Sequence, residues 1–256
     1  MPLVPRETHA TEKGIEETRF LTLLEMNGLR LTEGQATLLD RYKDLLISWN
    51  EKLNLVSRST TAEEIRFTHF AHSLSPFFFL SLPAGLRVMD LGSGGGLPGI
   101  PLAILRPDLQ IVLVDSIAKK VKAVESMRDE LGLSHVEVMN ARAEEIPRKA
   151  VPPEPFDLVL ARAVAPLSNL VQWSRKLVRQ RDVKANWREA RQTIEFTLPA
   201  LMAWKGGDIT DELAALKVKT GLEAKVFNLV FPRSEEVGLH GKKMVIVELR
   251  KGGGRP

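Results

Sequence analysis

From Ile15 to Leu82 the apolar residues recur at roughly every third or fourth position, as in Leu38, Leu39, Tyr42, Leu45, Leu46 and Trp49. That spacing gathers them on one face of a helix, and Thr32 ahead of Glu33 has the chemistry of an N-cap. Residues 13–83 are therefore predicted to be a small N-terminal helical unit of three helices and no strand. Residues 1–12 before it read as a disordered arm. At Leu86 the texture changes. The short apolar runs RVMDL, IVLVD, HVEVM and FDLVLA alternate with helical stretches that begin near Pro98, Ile117 and Leu167. Strands separated by crossover helices lie parallel, so residues 84–250 are predicted to fold as a doubly wound α/β domain. LPALMAW (198–204) and residues 208–219 read as a further strand and helix. AKVFNLVF (224–231) and KKMVIVELR (242–250) then follow each other with no helix between them, which predicts an antiparallel hairpin closing the sheet edge. The tail KGGGRP (251–256) is expected to be disordered.

Composition narrows the chemistry. With 256 residues, 44% hydrophobic and 27% charged, the chain is long enough for one sizeable core and a small accessory unit. It has no cysteine, which excludes disulfides, thiolate metal sites and cysteine nucleophiles. The opening MPLVPRETHATEKG has no apolar stretch of the kind a signal peptide needs. The apolar run Phe77–Leu80 is short and bracketed by prolines, so no membrane span and a cytoplasmic location are expected. The net charge of +4 leans toward polyanionic partners without deciding among them. His69 and His72 would share a helix face, but no third ligand at metal-binding spacing accompanies them, so no metal site is expected.

The stretch RVMDLGSGGGLPGI places five glycines within eight residues, Gly92 to Gly99, directly after a predicted strand. A glycine loop at the carboxyl edge of a parallel sheet is where nucleotide-like ligands bind. The dinucleotide fingerprint asks for a third glycine where this chain has Leu97. Pro98 also removes an N–H that a pyrophosphate would use. The loop thus suits a ligand with a ribose and no phosphate. Asp115, at the end of the next strand and about twenty residues on, is placed to hold both ribose hydroxyls. These features point to S-adenosylmethionine, and they argue against a nicotinamide-dependent oxidoreductase.

The segments DLGSGGGLPGIPLAI, VDSIAKKVKAVE, NARAEE and LARAVAPL, in that order, together resemble the RsmG (GidB) family. WNEKLNLVS upstream and AWKGG and KKMVIV downstream extend the resemblance over most of the chain. The resemblance implies a Rossmann-like class I methyltransferase that methylates guanine N7 in small-subunit (16S) ribosomal RNA, free or in the ribosomal particle, as a monomer. It implies cofactor contacts from Gly92, Gly94, Leu97, Ala143, Glu144 and Arg162, with Asp115 at the ribose. A non-catalytic RNA-binding or assembly protein that retains the pocket is the alternative. The family's Arg-His-x-x-Asp-Ser is replaced here by Thr68, His69, His72 and Ser73.

The chemistry of the absent residues fits the same activity. Methylation of a cytosine carbon uses a cysteine, and methylation of an exocyclic amine commonly uses Asn or Asp before Pro-Pro-aromatic after the fourth strand. This chain has neither; Ala161-Arg162-Ala163-Val164 stands there. Guanine N7 has a free lone pair and needs no general base, so catalysis would be positioning, with Arg162 the candidate catalytic residue. For RNA, the basic stretch Arg175–Arg191 is one candidate, through Arg179, Arg181, Lys184 and Arg188; the alternative is a solvated helix face. Lys205 in AWKGG and His69 are further candidates for RNA contact.

Overall fold

The helical period of the first eighty residues is realised in the computed structural model, which describes residues 7–148, 154–179, 181–189 and 192–250. Helix α1 spans Glu7–Met26. Residues 7–12, expected as part of an arm, are therefore helical. The segment is rich in helix-forming Glu, Ala and Lys, and extending a helix from the packed turn around Phe20 and Leu24 costs far less than nucleating one. The rest of the predicted arm and the tail 251–256 lie outside the described residues.

Helix α2, Glu33–Asn50, starts where Thr32 predicts. The Thr32 hydroxyl accepts the Gln35 N–H at 3.2 Å and the Gln35 side chain accepts the Thr32 N–H at 2.9 Å, a reciprocal cap. A continuous helical segment follows: α3 (Ala62–Glu64), a π-helical turn (Ile65–Phe70), α4 (Ala71–Leu74) and a 3-10 turn (Ser75–Phe78). The unit also holds one short strand that its pattern did not predict, β1 (Leu80–Ser81).

The α/β half runs β2 (Arg87–Leu91), α5 (Gly99–Leu105), β3 (Gln110–Asp115), α6 (Ala118–Glu130), β4 (Val136–Asn140), β5 (Leu158–Arg162) and α7 (Leu167–Ser174). It continues with β6 (Val183–Glu189), β7 (Gln192–Leu198), β8 (Ala200–Gly206), α8 (Thr210–Thr220), β9 (Lys225–Asn228) and β10 (Lys242–Glu248). Seven of these strands form one sheet in the order β4-β3-β2-β5-β8-β10-β9. The first five are parallel, and β10 inserts antiparallel between β8 and β9. The doubly wound sheet and its terminal antiparallel hairpin agree with the sequence reading. Strand residues alternate between two cores. Val88, Leu113 and Met202 face the helical unit, whereas Met89, Val112 and Leu201 face α7 and α8. Phe20, Leu24, Tyr42 and Leu46 of the helical unit belong to the same core as the sheet face they cover.

The basic stretch is not a helix. Its residues Val183–Glu189 form β6, which pairs antiparallel with β7 and with β1 in a separate three-stranded sheet. The period is two: Ala185 and Trp187 are buried while Lys184 and Arg188 are exposed. Trp187 lies between the rings of Phe79, at 5.2 Å, and Phe227, at 4.5 Å. Burial of one indole on a pleated surface selects a strand here over the helix that the charges suggested.

Candidate functional site

β2, β3, β4 and β5 all end at the same edge of the sheet, and the glycine loop leaves the first of them. Val114 carbonyl oxygen accepts the N–H groups of Gly92, at 2.8 Å, and Ser93, at 3.0 Å, which turns the loop across the end of β3. Gly92 and Gly94 both stand in the left-handed region, with φ 71° and 58°. The two glycines serve different ends. A Cβ on Gly92 would sit 2.6 Å from Val164 Cγ2, so Gly92 is required by protein packing. A Cβ on Gly94 would meet no protein atom within 4 Å, because that side of the loop faces a cleft.

This cleft has a volume of about 380 Å³ and is lined by Gly92, Gly94, Asp115, Ile117, Ala143 and Glu144 among others. Asp115 Oδ2 accepts the Gly94 N–H at 3.0 Å and Oδ1 accepts the Ile117 N–H at 2.9 Å. Its carboxylate thus ties the loop to the start of α6 and keeps an acceptor position on each oxygen for hydroxyl donors. Half-exposed Ile117 and Val164 add apolar surface at the mouth. The open space beside Gly94, the carboxylate and the apolar mouth fit an adenosine-bearing cofactor such as S-adenosylmethionine.

The other side of the loop is held by the helical unit. Buried Tyr42 donates its hydroxyl to the Gly95 carbonyl at 2.8 Å and stacks on Phe70 at 5.2 Å. Burial raises the Tyr42 pKa far above that of a free phenol, so it is a permanent donor. Below the loop, fully buried Asp90 accepts the Gly99 N–H at 2.8 Å through Oδ2, while its Oδ1 has no partner among the described residues. Burial pushes the Asp90 carboxyl up to about 7.

A second cleft, of about 420 Å³, adjoins the first and shares Ala163 and Val164 with it. Ala163 has φ 57°, a strained conformation for a residue with a Cβ, at the wall where the two spaces meet. Arg162, His72, Trp204, Lys205 and Lys242 line this cleft. Arg162 Nη1 donates to the Ser73 hydroxyl at 3.1 Å and the His69 carbonyl at 3.3 Å. Lys205 Nζ donates to the Ala165 carbonyl at 2.9 Å and pairs with Glu212 at 2.6 Å. The Trp204 indole donates to the His72 carbonyl at 2.8 Å. Burial, aided by Arg162, lowers His69 to about 4 and His72 to about 3, so both rings are neutral at physiological pH.

Of the residues singled out in the sequence, Gly92, Gly94, Asp115, Ala143 and Glu144 meet at the first cleft. Arg162 and Lys205 line the second. Leu97 lines neither; it is 5% exposed and belongs to the core that contains Tyr42 and Ile100. His69 reaches the site through its carbonyl oxygen. Arg179 and Arg181 lie at the opposite edge of the sheet, where Arg181 pairs at 3.0 Å with buried Asp157 at the start of β5. Along β5 that is about 15 Å from Arg162. Arg179 donates to the Pro155 carbonyl at 2.8 Å, Lys184 pairs with Glu195 at 2.5 Å, and Arg188 is exposed. Sequence reasoning missed Tyr42, Asp90 and Lys242. Among the described residues there is no cluster of three or more metal-ligating side chains and no helix long and apolar enough to cross a membrane.

Residues 35–199 match the GidB family, described as rRNA small subunit methyltransferase G. The chain is 34% identical over 239 residues to Ribosomal RNA small subunit methyltransferase G of Porphyromonas gingivalis, covering 93% of this chain and 98% of that protein. It is 41% identical over 192 residues to the protein of the same name from Chlorobaculum tepidum, covering 75% and 78%. Among solved structures it is similar to Aeropyrum pernix fibrillarin in complex with S-adenosyl-L-methionine, with a TM-score of 0.48, 16% identity and coverage of 71% and 76%. With a family match over more than half its length and a curated relative aligned almost end to end, the chain belongs to the GidB family of small-subunit ribosomal RNA methyltransferases.

Proposed function

We propose that this methyltransferase uses S-adenosylmethionine to methylate N7 of a guanine in small-subunit ribosomal RNA, with the acceptor nucleotide seated in the second cleft. Membership of the family supplies the coarser part: a cofactor-dependent methyltransferase of that RNA. One observation supports the finer part. Among the described residues, the ionisable groups lining the second cleft are Arg162, Lys205, Lys242 and His72, with no carboxylate.

Bound S-adenosylmethionine would supply an electrophilic methyl group; Gly92, Gly94, Asp115, Ala143 and Glu144 are the residues placed to hold it. An amine or hydroxyl acceptor would have to lose a proton, and the cleft is poor in groups to take it. Lys205 is committed as a cation to Glu212. His72, lowered to about 3, is a weak base. Asp90, near 7, has a suitable pKa but is fully buried and lines neither cleft. Guanine N7 carries an unshared lone pair on its exposed edge and asks for orientation only. Orientation is what the Ala163 turn, with its φ of 57°, and half-buried Arg162, bonded to Ser73 and His69, would provide, and positioning of two reactants is worth up to about 7–11 kcal/mol.

The RNA track expected over Arg179, Arg181, Lys184 and Arg188 draws little support from their place at the far edge and from the ion pairs of the first three. Cations at the mouth of the first cleft, Lys120 and Arg142, are better placed. The deciding experiment is nucleoside mass spectrometry of small-subunit RNA after incubation with enzyme and labelled cofactor. 7-Methylguanosine is the expected product. A methyl on an exocyclic amine, a ring carbon or a ribose would overturn the N7 reading.

A further inference from the structure

Four cations converge where β5, β8 and β10 end beside the second cleft: Arg162, Lys205, Lys242 and Lys243. Three of them are engaged. Arg162 donates to Ser73 and His69, Lys205 to Ala165 and Glu212, and Lys243 to the Gly207 carbonyl at 2.6 Å. Of the four, Lys242 alone has a side chain with no hydrogen bond or ion pair among the described residues; its backbone pairs with Leu239 and Leu229. It is nevertheless half-buried. Its register partner on β8 is Gly206, and a Cβ built there would lie 3.4 Å from both Cδ and Nζ of Lys242. The side chain is therefore folded over the bare backbone of Gly206, along the cleft wall, and its charge is felt by His72 across the space.

A half-buried ammonium with no counter-charge of its own, on the wall of an open cleft, is available to an anion that enters the cleft. With His72 neutral, the carboxylates at this edge are engaged elsewhere: Glu212 with Lys205 and the Leu167 N–H, and exposed Asp208, whose charge is felt beside Lys243, with the Thr210 N–H and hydroxyl. An anion that pairs with Lys242 would come from outside the chain. We propose that Lys242 binds a phosphodiester of the acceptor RNA and thereby fixes the target nucleotide in the second cleft, a positioning role that rests on the proposed function. Lys242 moves no proton and takes no part in the chemistry.

The test compares the wild type with Lys242→Gln and Lys242→Arg in the full chain. Filter binding of small-subunit ribosomal RNA is measured at 50 and 200 mM salt, together with methyl transfer and binding of S-adenosylhomocysteine. One lost phosphate contact removes about one unit from the log–log salt dependence. The wild type should therefore lose about threefold more affinity than Lys242→Gln between those salt concentrations. KM for RNA should rise on the order of tenfold in Lys242→Gln. kcat, cofactor affinity and thermal midpoint should hold, and Lys242→Arg should recover most of the loss. An unchanged salt slope and KM would overturn the proposal, as would a matching loss of cofactor affinity or of fold. The readout does not depend on the atom methylated. Product analysis that finds a methyl elsewhere than N7 would remove the N7 reading and leave the Lys242 result standing. A wild type that methylates nothing would still be tested by its salt slope.

Discussion

Replacing Asp115 by Ala removes a carboxylate that ties the glycine loop to α6 and that we propose also holds the cofactor, and the two losses are separable. On the protein side, Gly94 and Ile117 lose acceptors at 3.0 and 2.9 Å. A hydrogen bond to a charged acceptor is worth about 1.5–3 kcal/mol when buried. Both amides border an open cleft and regain water, so the stability loss should be about 1–3 kcal/mol in total rather than twice the buried value. On the cofactor side, the acceptor positions left on each oxygen are the ones available to ribose hydroxyls. Losing them should cost about 1–3 kcal/mol of binding, which is roughly five- to 150-fold in Kd. Asp115→Asn keeps one acceptor oxygen and turns an NH2 group toward the other amide. It should fall between wild type and Ala in both measurements. Titration calorimetry with S-adenosylhomocysteine reads the affinity, and denaturant unfolding reads the stability. A folded Asp115→Ala that binds the ligand as tightly as wild type would take Asp115 out of the cofactor site.

Gly94→Val should abolish cofactor binding, since its side chain enters the open cleft, while the positive φ costs about 1–2 kcal/mol of stability; calorimetry showing retained affinity would mean the cleft faces another way. Arg181→Ala should destabilise by about 1–3 kcal/mol in denaturant unfolding, because buried Asp157 loses an ion-pair partner and keeps Arg179 at only 3.9 Å; an unchanged midpoint would show the pair to be inert. Asp90 sits at about 7 when folded against an ordinary 3.8, so the folded protein holds a proton that the unfolded chain has released between those values. Its contribution is complete below about pH 4 and is lost as pH rises to about 7. Asp90→Asn should abolish that fall, so its stability relative to wild type improves between pH 5 and pH 8 by an amount on the order of 2 kcal/mol. Parallel stability–pH curves for the two proteins would contradict a protonated Asp90.

The parts of the fold that were legible are those where burial dictates composition. A parallel strand covered on both faces has to be apolar throughout, and RVMDL, IVLVD and FDLVLA announce themselves for that reason. The β6–β7 hairpin hid because only one of its faces is covered. Its outward Lys184 and Arg188 and inward Ala185 and Trp187 average to a basic, half-polar stretch, and a charge count over the segment erases the period of two. Nothing local says that Trp187 will find Phe79, more than a hundred residues earlier, or Phe227 beyond two further strands.

The site divides along the same line. That Gly92, Gly94 and Asp115 line one cleft was readable because a strand, a glycine loop and an acid at the next strand end are fixed by local chain geometry. Leu97, expected at the cofactor, packs in the core beside the helical unit, because the sequence cannot tell which side of a loop a residue takes. The second cleft was invisible for a deeper reason. Its walls come from α4, β5, β8 and β10, and Lys242 reaches it only because β10 inserts between β8 and β9 and sets that lysine opposite Gly206. The helical unit is joined to both spaces, through the Tyr42 bond to Gly95 on one side and through Arg162 to His69 and Ser73 on the other. A unit that shares its core with the sheet and bonds to both clefts sets their relative position. Thr68 and His72 stand in the part of that unit that meets the second cleft, whereas the glycine loop is secured from the other side by Tyr42 and Asp115.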